Sequence, residues 1–365
     1  MRYFLFFLLL FLVLGLTAPK RLLQSGPMLG YVELREALVW VQTKEAANVK
    51  VGYSELGGSG KLLFTSTVAT LKSKAFTAKL IADQVEPGKT YRYQVYINDQ
   101  QVELDYPTRF TTPPVWRWRT DPPNFKVALG SCTYVNEPAY DRPGKGYGSE
   151  YEIFTSINKK SPNLMIWLGD NTYLREPDWY SRTGVMHRYT HTRSLPEMQP
   201  LLAKTHHYAT WDDHDYGPNN SDRTWVQKDL STEAFNLFWG NLTSGLPGES
   251  EPGITSMFRY NDVDFFLLDN RSFRTPNDQK REDNKTVLGK KQLEWIIESL
   301  IFSDASYKLV CIGGQVLNTS KRGETYVNLA PDEQAYLLRR ISEEDIENVI
   351  FLTGDRHHTE LSELT

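Results

Sequence analysis

Cys132, Asp170, Tyr173, Asp213, His214, Asn219, Asn220, Asp355 and His357 bring together a thiol, carboxylates, a phenol, amides and imidazoles. Any one of them alone reads as a solvated loop or core residue. The combination reads as a metal site. Carboxylates and amides suit hard cations, and a phenolate suits ferric iron. Two metals about 3.5–4 Å apart clamp the attacking and leaving oxygens of an in-line phosphoryl displacement. Asp170 suits the bridging position, because a carboxylate has two oxygens. A hydroxide activated by such a pair is the nucleophile, so no Ser or Cys nucleophile is required. His214, next to Asp213, is placed to protonate a leaving alkoxide. Asp215 and His358 extend the same short runs, and the spacing leaves open which of Asn219/Asn220 and His357/His358 coordinates.

These residues follow short apolar runs. Leu164–Leu168 ends in Gly169-Asp170, long enough for a fully buried strand and no longer. Phe125–Leu129 runs into Gly130-Ser131-Cys132, and His207–Trp211 into Asp212-Asp213-His214-Asp215. Val263–Leu268 runs into Asp269-Asn270-Arg271, Leu309–Ile312 into Gly313-Gly314-Gln315, and Val349–Thr353 into Gly354-Asp355-Arg356-His357-His358. Polar groups thus gather at the carboxyl ends of candidate strands, where open α/β sheets bind ligands. Helical patterns alternate with the strands from Phe125 onward. Lys290–Phe302 is the clearest, with Leu293, Ile296, Ile297, Leu300 and Ile301 on one face.

Residues 22–112 differ. Leu38–Thr43, Val49–Tyr53, Phe76–Leu80, Thr90–Ile97 and Thr108–Thr112 are short alternating runs separated by Gly, Pro and Asn-Asp turns. This spacing predicts a small all-β sandwich of the immunoglobulin or fibronectin type. It carries no catalytic cluster. A Pro- and Trp-rich linker at 113–123 follows, and an α/β domain is expected over 124–365. His357 and His358 lie close to the last residue, so the α/β domain is expected to lack its C-terminal elements.

The N-terminus has Arg2, an apolar run from Phe4 to Leu16, and Thr17-Ala18-Pro19. That pattern predicts a signal peptide over 1–18, an exported protein, and no membrane span after cleavage. The formal net charge is −4 and no basic stripe occurs, which argues against sequence-specific nucleic-acid binding. Cys311 sits inside an apolar run and Cys132 at a strand end, so a disulfide between them is not expected.

The ordered motifs GSC at 130–132, GDNTY at 169–173, WDDHDYGPNN at 211–220, LDNRSFR at 268–274, QLEWI at 292–296 and TGDRHH at 353–358 resemble the PhoD-type alkaline phosphatase/phosphodiesterase family, within the calcineurin-like metallophosphatases. The resemblance implies a four-layer α/β/β/α sandwich behind the β domain, and a centre of calcium and iron. It implies hydrolysis of phosphomonoesters or phosphodiesters. Cys132, Asp170 and Tyr173 would hold iron; Asp213 and Asn219 or Asn220 would serve a second metal. Asp355 and His357 would complete the site, His214 would act on the leaving group, and Arg271 would contact phosphate. Asp215 stands where the family commonly has Glu, and Arg356 and His358 stand where many members have Val and Ser.

Two other readings compete. A protein that kept the fold and lost turnover would bind metal or phosphate only. A Ser-His-Asp hydrolase would need a Gly-x-Ser-x-Gly elbow between strand and helix. The Gly-Gly-Ser-Gly stretch at 57–60 lies in a turn of the β region and does not meet that need.

Overall fold

The computed structural model describes residues 22–250, 253–281 and 283–364, and the expected leader at 1–18 lies outside them. The first third holds strands β1 (Leu23–Val32), β2 (Ala37–Thr43), β3 (Asn48–Glu55), β4 (Leu63–Phe64), β5 (Val68–Ala69), β6 (Thr77–Ala82), β7 (Thr90–Ile97), β8 (Gln100–Gln101) and β9 (Arg109–Thr111). The middle holds β10 (Val127–Gly130), α1 (Glu152–Lys160), β11 (Leu164–Leu168), α2 (Arg182–Arg193), α3 (Gln199–Leu202), β12 (His206–Thr210), α4 (Asp213–Tyr216) and α5 (Lys228–Phe238). The last part holds β13 (Ser256–Tyr260), β14 (Val263–Leu267), α6 (Gly289–Phe302), β15 (Tyr307–Ile312), α7 (Tyr326–Leu329), α8 (Pro331–Glu343) and β16 (Val349–Thr353).

Two sheets face each other at the centre. One has the order β10-β11-β12-β1-β2-β6, the other β13-β14-β15-β16. Period-two alternation shows how each strand serves two layers. On β12, Tyr208 stacks on Phe258 of the facing sheet with ring centroids 3.6 Å apart. Thr210 Oγ1 donates to Leu268 O across the same gap at 2.6 Å. His207, one residue over, turns to the other side, where Nδ1 accepts from Trp167 Nε1 at 2.9 Å. On β14, Phe265 and Leu267 enter the shared core, while Phe266 joins Leu293, Ile296, Ile297 and Leu300 of α6 on the outer face. Phe154 of α1, Tyr189 of α2 and Phe235 of α5 complete the outer layer on the first sheet. The result is an α/β/β/α sandwich, as the family resemblance implies.

The N-terminal β region is built on a third sheet, β4-β3-β7-β8, with β5 on β3 and β9 on β7. Its core is aromatic, with Tyr91 stacked on Phe110 at 5.3 Å. The linker at 113–123 does not divide the sheets. β1 runs parallel to β12, with Leu29 opposite His206, and so extends the first central sheet into β2 and β6. Tyr93 Oη of β7 adds a hydrogen bond to Ala203 O at 2.7 Å. Sequence reasoning does not find β1, because Gly26, Pro27 and Gly30 interrupt its apolar pattern. Gly30 is required there: a Cβ would lie 2.7 Å from Gly240 O.

Candidate metal centre

The site forms where the carboxyl ends of β10, β11, β12 and β16 converge. The two sheets close tightly at this end. A Cβ on Gly354 would lie 2.3 Å from Leu168 O, so only glycine lets β16 approach β11. Just beyond the strands the backbone turns sharply. Cys132 (φ 60°), Asp170 (φ 52°), Asn220 (φ 62°), Asp355 (φ 74°) and His357 (φ 56°) all adopt the left-handed region. Non-glycine residues there are uncommon and cluster at functional sites. Five of the sequence-derived ligand candidates share it.

Asp170 is the hub. Its Oδ2 lies 3.8 Å from Cys132 Sγ and accepts from Tyr173 Oη at 3.2 Å. Its Oδ1 accepts the His214 main-chain N–H at 3.2 Å. Tyr173 Oη is 3.4 Å from His357 Nε2. Ligand atoms of Cys132, Asp170 and His357 lie within 4.8 Å of one another, as do those of Asp170, Asp213 and His214. One carboxylate is therefore shared by two donor clusters. The structure also separates the paired imidazoles. His358 turns away, its Nε2 3.3 Å from Glu360 Oε2.

Helix α4 positions Asp213 and His214. Asp212 and Asp215 form its capping box, and Asp215 Oδ2 also accepts Asn171 N at 3.2 Å. Asp215 is thereby occupied by main-chain N–H groups. The His214 ring stacks on Tyr173 with centroids 4.4 Å apart. Asn219 and Asn220 are exposed, and the Asn220 N–H donates to Asp213 Oδ2 at 2.7 Å.

Arg271 is fully buried. Its guanidinium pairs with Asp212, lies 3.6 Å from Asp213 and meets Glu324 Oε2 at 2.8 Å. Such a buried charge is tolerable only because carboxylates surround it. Glu324, which sequence reasoning missed, sits in a polar loop before α7. It also pairs with Arg274 and forms an acidic cluster with Asp212 and Asp213. No strand end announces Glu324, so nothing in the sequence pattern could mark it.

The electrostatics call for cations. Burial, then Asp213, Asp212 and Asp215, holds the Asp170 carboxyl well above the ordinary range. Burial and then Glu324 raise Asp355 as well. Burial pushes Asp212 up to about 7, against the pull of Arg271. Burial opposes ionisation of Asp213, yet Arg271 and His214 outweigh it and leave that carboxyl below its usual value. Burial and Asp170 push the Cys132 thiol up to about 12. Asp212 Oδ2 and Asn270 Oδ1 are buried without a hydrogen-bond partner. Crowded carboxylates with a thiol, a phenol and an imidazole fit metal ions, whose positive charge would lower these values and release the thiol proton. Both cysteines are free.

A family model described as PhoD-like phosphatase matches residues 128–365, and one for a domain of unknown function (DUF7800) matches residues 20–115. Alkaline phosphatase D of Bacillus subtilis (strain 168) is 24% identical over 367 residues, covering 88% of this chain and 60% of that protein. The chain thus spans less than two-thirds of the curated relative. A solved structure of PhoD aligns with TM-score 0.76 at 19% identity, over 93% of this chain and 72% of the other. The purple acid phosphatase PPD1 from yellow lupin (Lupinus luteus) seeds aligns with TM-score 0.60 at 12% identity, over 92% and 58%. Those likenesses show the metallophosphatase fold. The family match spans most of the chain and all the strand-end residues just described, and the chain belongs to the PhoD-like phosphatases.

Proposed function

We propose that this protein is an exported, metal-dependent phosphoesterase acting on phosphodiesters or phosphomonoesters. The observation that carries the reading is the shared carboxylate of Asp170, one oxygen toward Cys132 and Tyr173 and the other toward α4 and Asp213. Cys132, Asp170, Tyr173 and His357 would hold iron. Asp213, with Asn219 or Asn220 and Asp355, would hold calcium. When bound, these ions polarise the phosphoryl oxygens and supply an activated water.

The chain's own groups do the rest. His214 stands on the Tyr173 ring beside Asp213 and delivers a proton to the leaving oxygen. Arg271, buried under Asp212 and Asp213, acts as a positioning residue and not as a phosphate ligand. The donor clusters that share Asp170, with His214 beside Asp213, support the enzyme reading over a merely binding protein. Dialysis of the purified protein against a chelator should abolish turnover of an aryl phosphodiester, and restoring iron and calcium should recover it. Turnover that survives complete removal of metal would overturn the proposal.

A further inference from the structure

The Tyr173 ring has a second neighbour, and that contact leads away from the metal ligands to the surface. Tyr134 packs on Tyr173 at 4.9 Å, and Tyr147 meets Tyr134 edge-on at 5.3 Å. The rings of His214, Tyr173, Tyr134 and Tyr147 therefore form a continuous series. Tyr147 ends it and is 63% exposed.

The constraints are local and specific. The base of the loop is clamped by Arg175. Its guanidinium lies 4.3 Å from the Tyr134 ring, pairs with Asp141 at 2.8 Å and donates to Val135 O at 2.8 Å. Tyr134 Oη donates to the same Asp141 at 2.8 Å. The far end is pinned by Asn136, which accepts Gly148 N at 3.1 Å and donates to Gly148 O. A Cβ on Gly146 would lie 2.7 Å from Asn136 Oδ1, and one on Gly148 would lie 2.4 Å from Tyr134 O. Tyr147 thus stands between two glycines that hug the loop base, and its ring is presented outward. Arg142 Nη1 donates to Tyr147 Oη at 3.3 Å, and Lys145 is exposed on the same loop.

We propose that Tyr147 is a specificity-determining residue: a fixed stacking platform for a planar aromatic group esterified to the phosphate, with Arg142 and Lys145 favouring anionic substrates. This rests on the phosphoesterase reading of the adjoining centre. Every aromatic or nucleobase group offers a π face, and stacking on a positioned ring is sequence-tolerant. Aryl and nucleoside esters share that chemistry. The loop would bind the aromatic ester group that stays on phosphorus, and neither the departing group nor the reacting phosphorus, so Tyr147 touches substrate without taking part in bond cleavage.

The test compares bis(nitrophenyl) phosphate, a thymidine nitrophenyl phosphodiester and methyl nitrophenyl phosphate on the metal-loaded full chain. Tyr147→Ala should lower kcat/KM on the first two about 5- to 100-fold, mostly through KM, the usual worth of one stacked ring. Tyr147→Phe should retain the wild-type value, because the face is kept. The methyl ester, with one planar group fewer, should lose much less in Tyr147→Ala. Equal losses on all three substrates, or none, would overturn the platform. Wild-type protein inactive on every ester would instead refute the phosphoesterase reading itself, a distinct outcome.

Discussion

Strand β12 delivers Asp212 and Asp213 to the site, yet it carries two histidines that burial keeps neutral. His206 and His207 are buried, at 4% and 0% exposure. Burial pushes His206 from 6.5 down to about 4, and pushes His207 down to about 3. Each ring spends a nitrogen on a main-chain acceptor, Gly30 O at 2.8 Å or Leu201 O at 3.3 Å, and neither has a carboxylate partner among the described residues. The sign follows from linkage. The folded values lie below the unfolded one, so the unfolded chain takes up protons first as pH falls. Stability is fully present above about pH 6.5 and is lost progressively below it. One pKa unit is worth about 1.36 kcal/mol, so moving from pH 7 to pH 5 costs about 2 kcal/mol for each histidine. Urea denaturation at the two pH values, with metal removed, measures the loss. Trp167 Nε1 can still find an acceptor in His207→Gln, and this variant should lose about 2 kcal/mol less than wild type over the same interval. An identical pH dependence in the two proteins would refute the reasoning.

His214→Ala should cost about 10²–10⁴-fold on an alkyl phosphate ester and clearly less on a nitrophenyl ester, whose leaving group hardly needs a proton. Equal losses on both would remove the general-acid role. Arg271→Met should destabilise the protein by about 3–5 kcal/mol, because Asp212 would be left buried without its cation and Glu324 would keep only Arg274. If the variant kept its stability and only raised KM, Arg271 would be a phosphate ligand after all. Cys132→Ser should reduce bound iron with the fold retained. Unreduced, denatured protein should take up alkylating reagent on both Cys132 and Cys311, and a disulfide between them would contradict the assignment.

Much of this architecture can be read from apolar runs. Leu164–Leu168 and Val349–Thr353 are strands over the expected residues. Leu164–Leu168 is buried along its whole length, which leaves few alternatives. The misses have physical causes. β1 is broken up by glycine and proline, and it forms because β12 supplies a parallel partner far along the chain. β13 is short, and its pattern emerges only against β14. α4 is a single turn hidden in a run of acids. At the site, residue types identified the metal-binding chemistry, but not depth. Arg271 looks like a phosphate ligand in sequence, and only the fold shows it buried. Glu324 becomes significant through two arginines that are distant in sequence. Likewise, the turn after β16 separates His357 from His358, bringing the first to Tyr173 and sending the second to Glu360.

The central claim is that Asp170 joins two metal-binding clusters. Elemental analysis of purified wild type and Asp170→Asn, with turnover measured on the same samples, tests it most directly. A bridging carboxylate predicts iron and calcium in the wild type, a loss of both in the variant, and loss of activity with them. A variant that kept both metals and a near-normal rate would contradict the account.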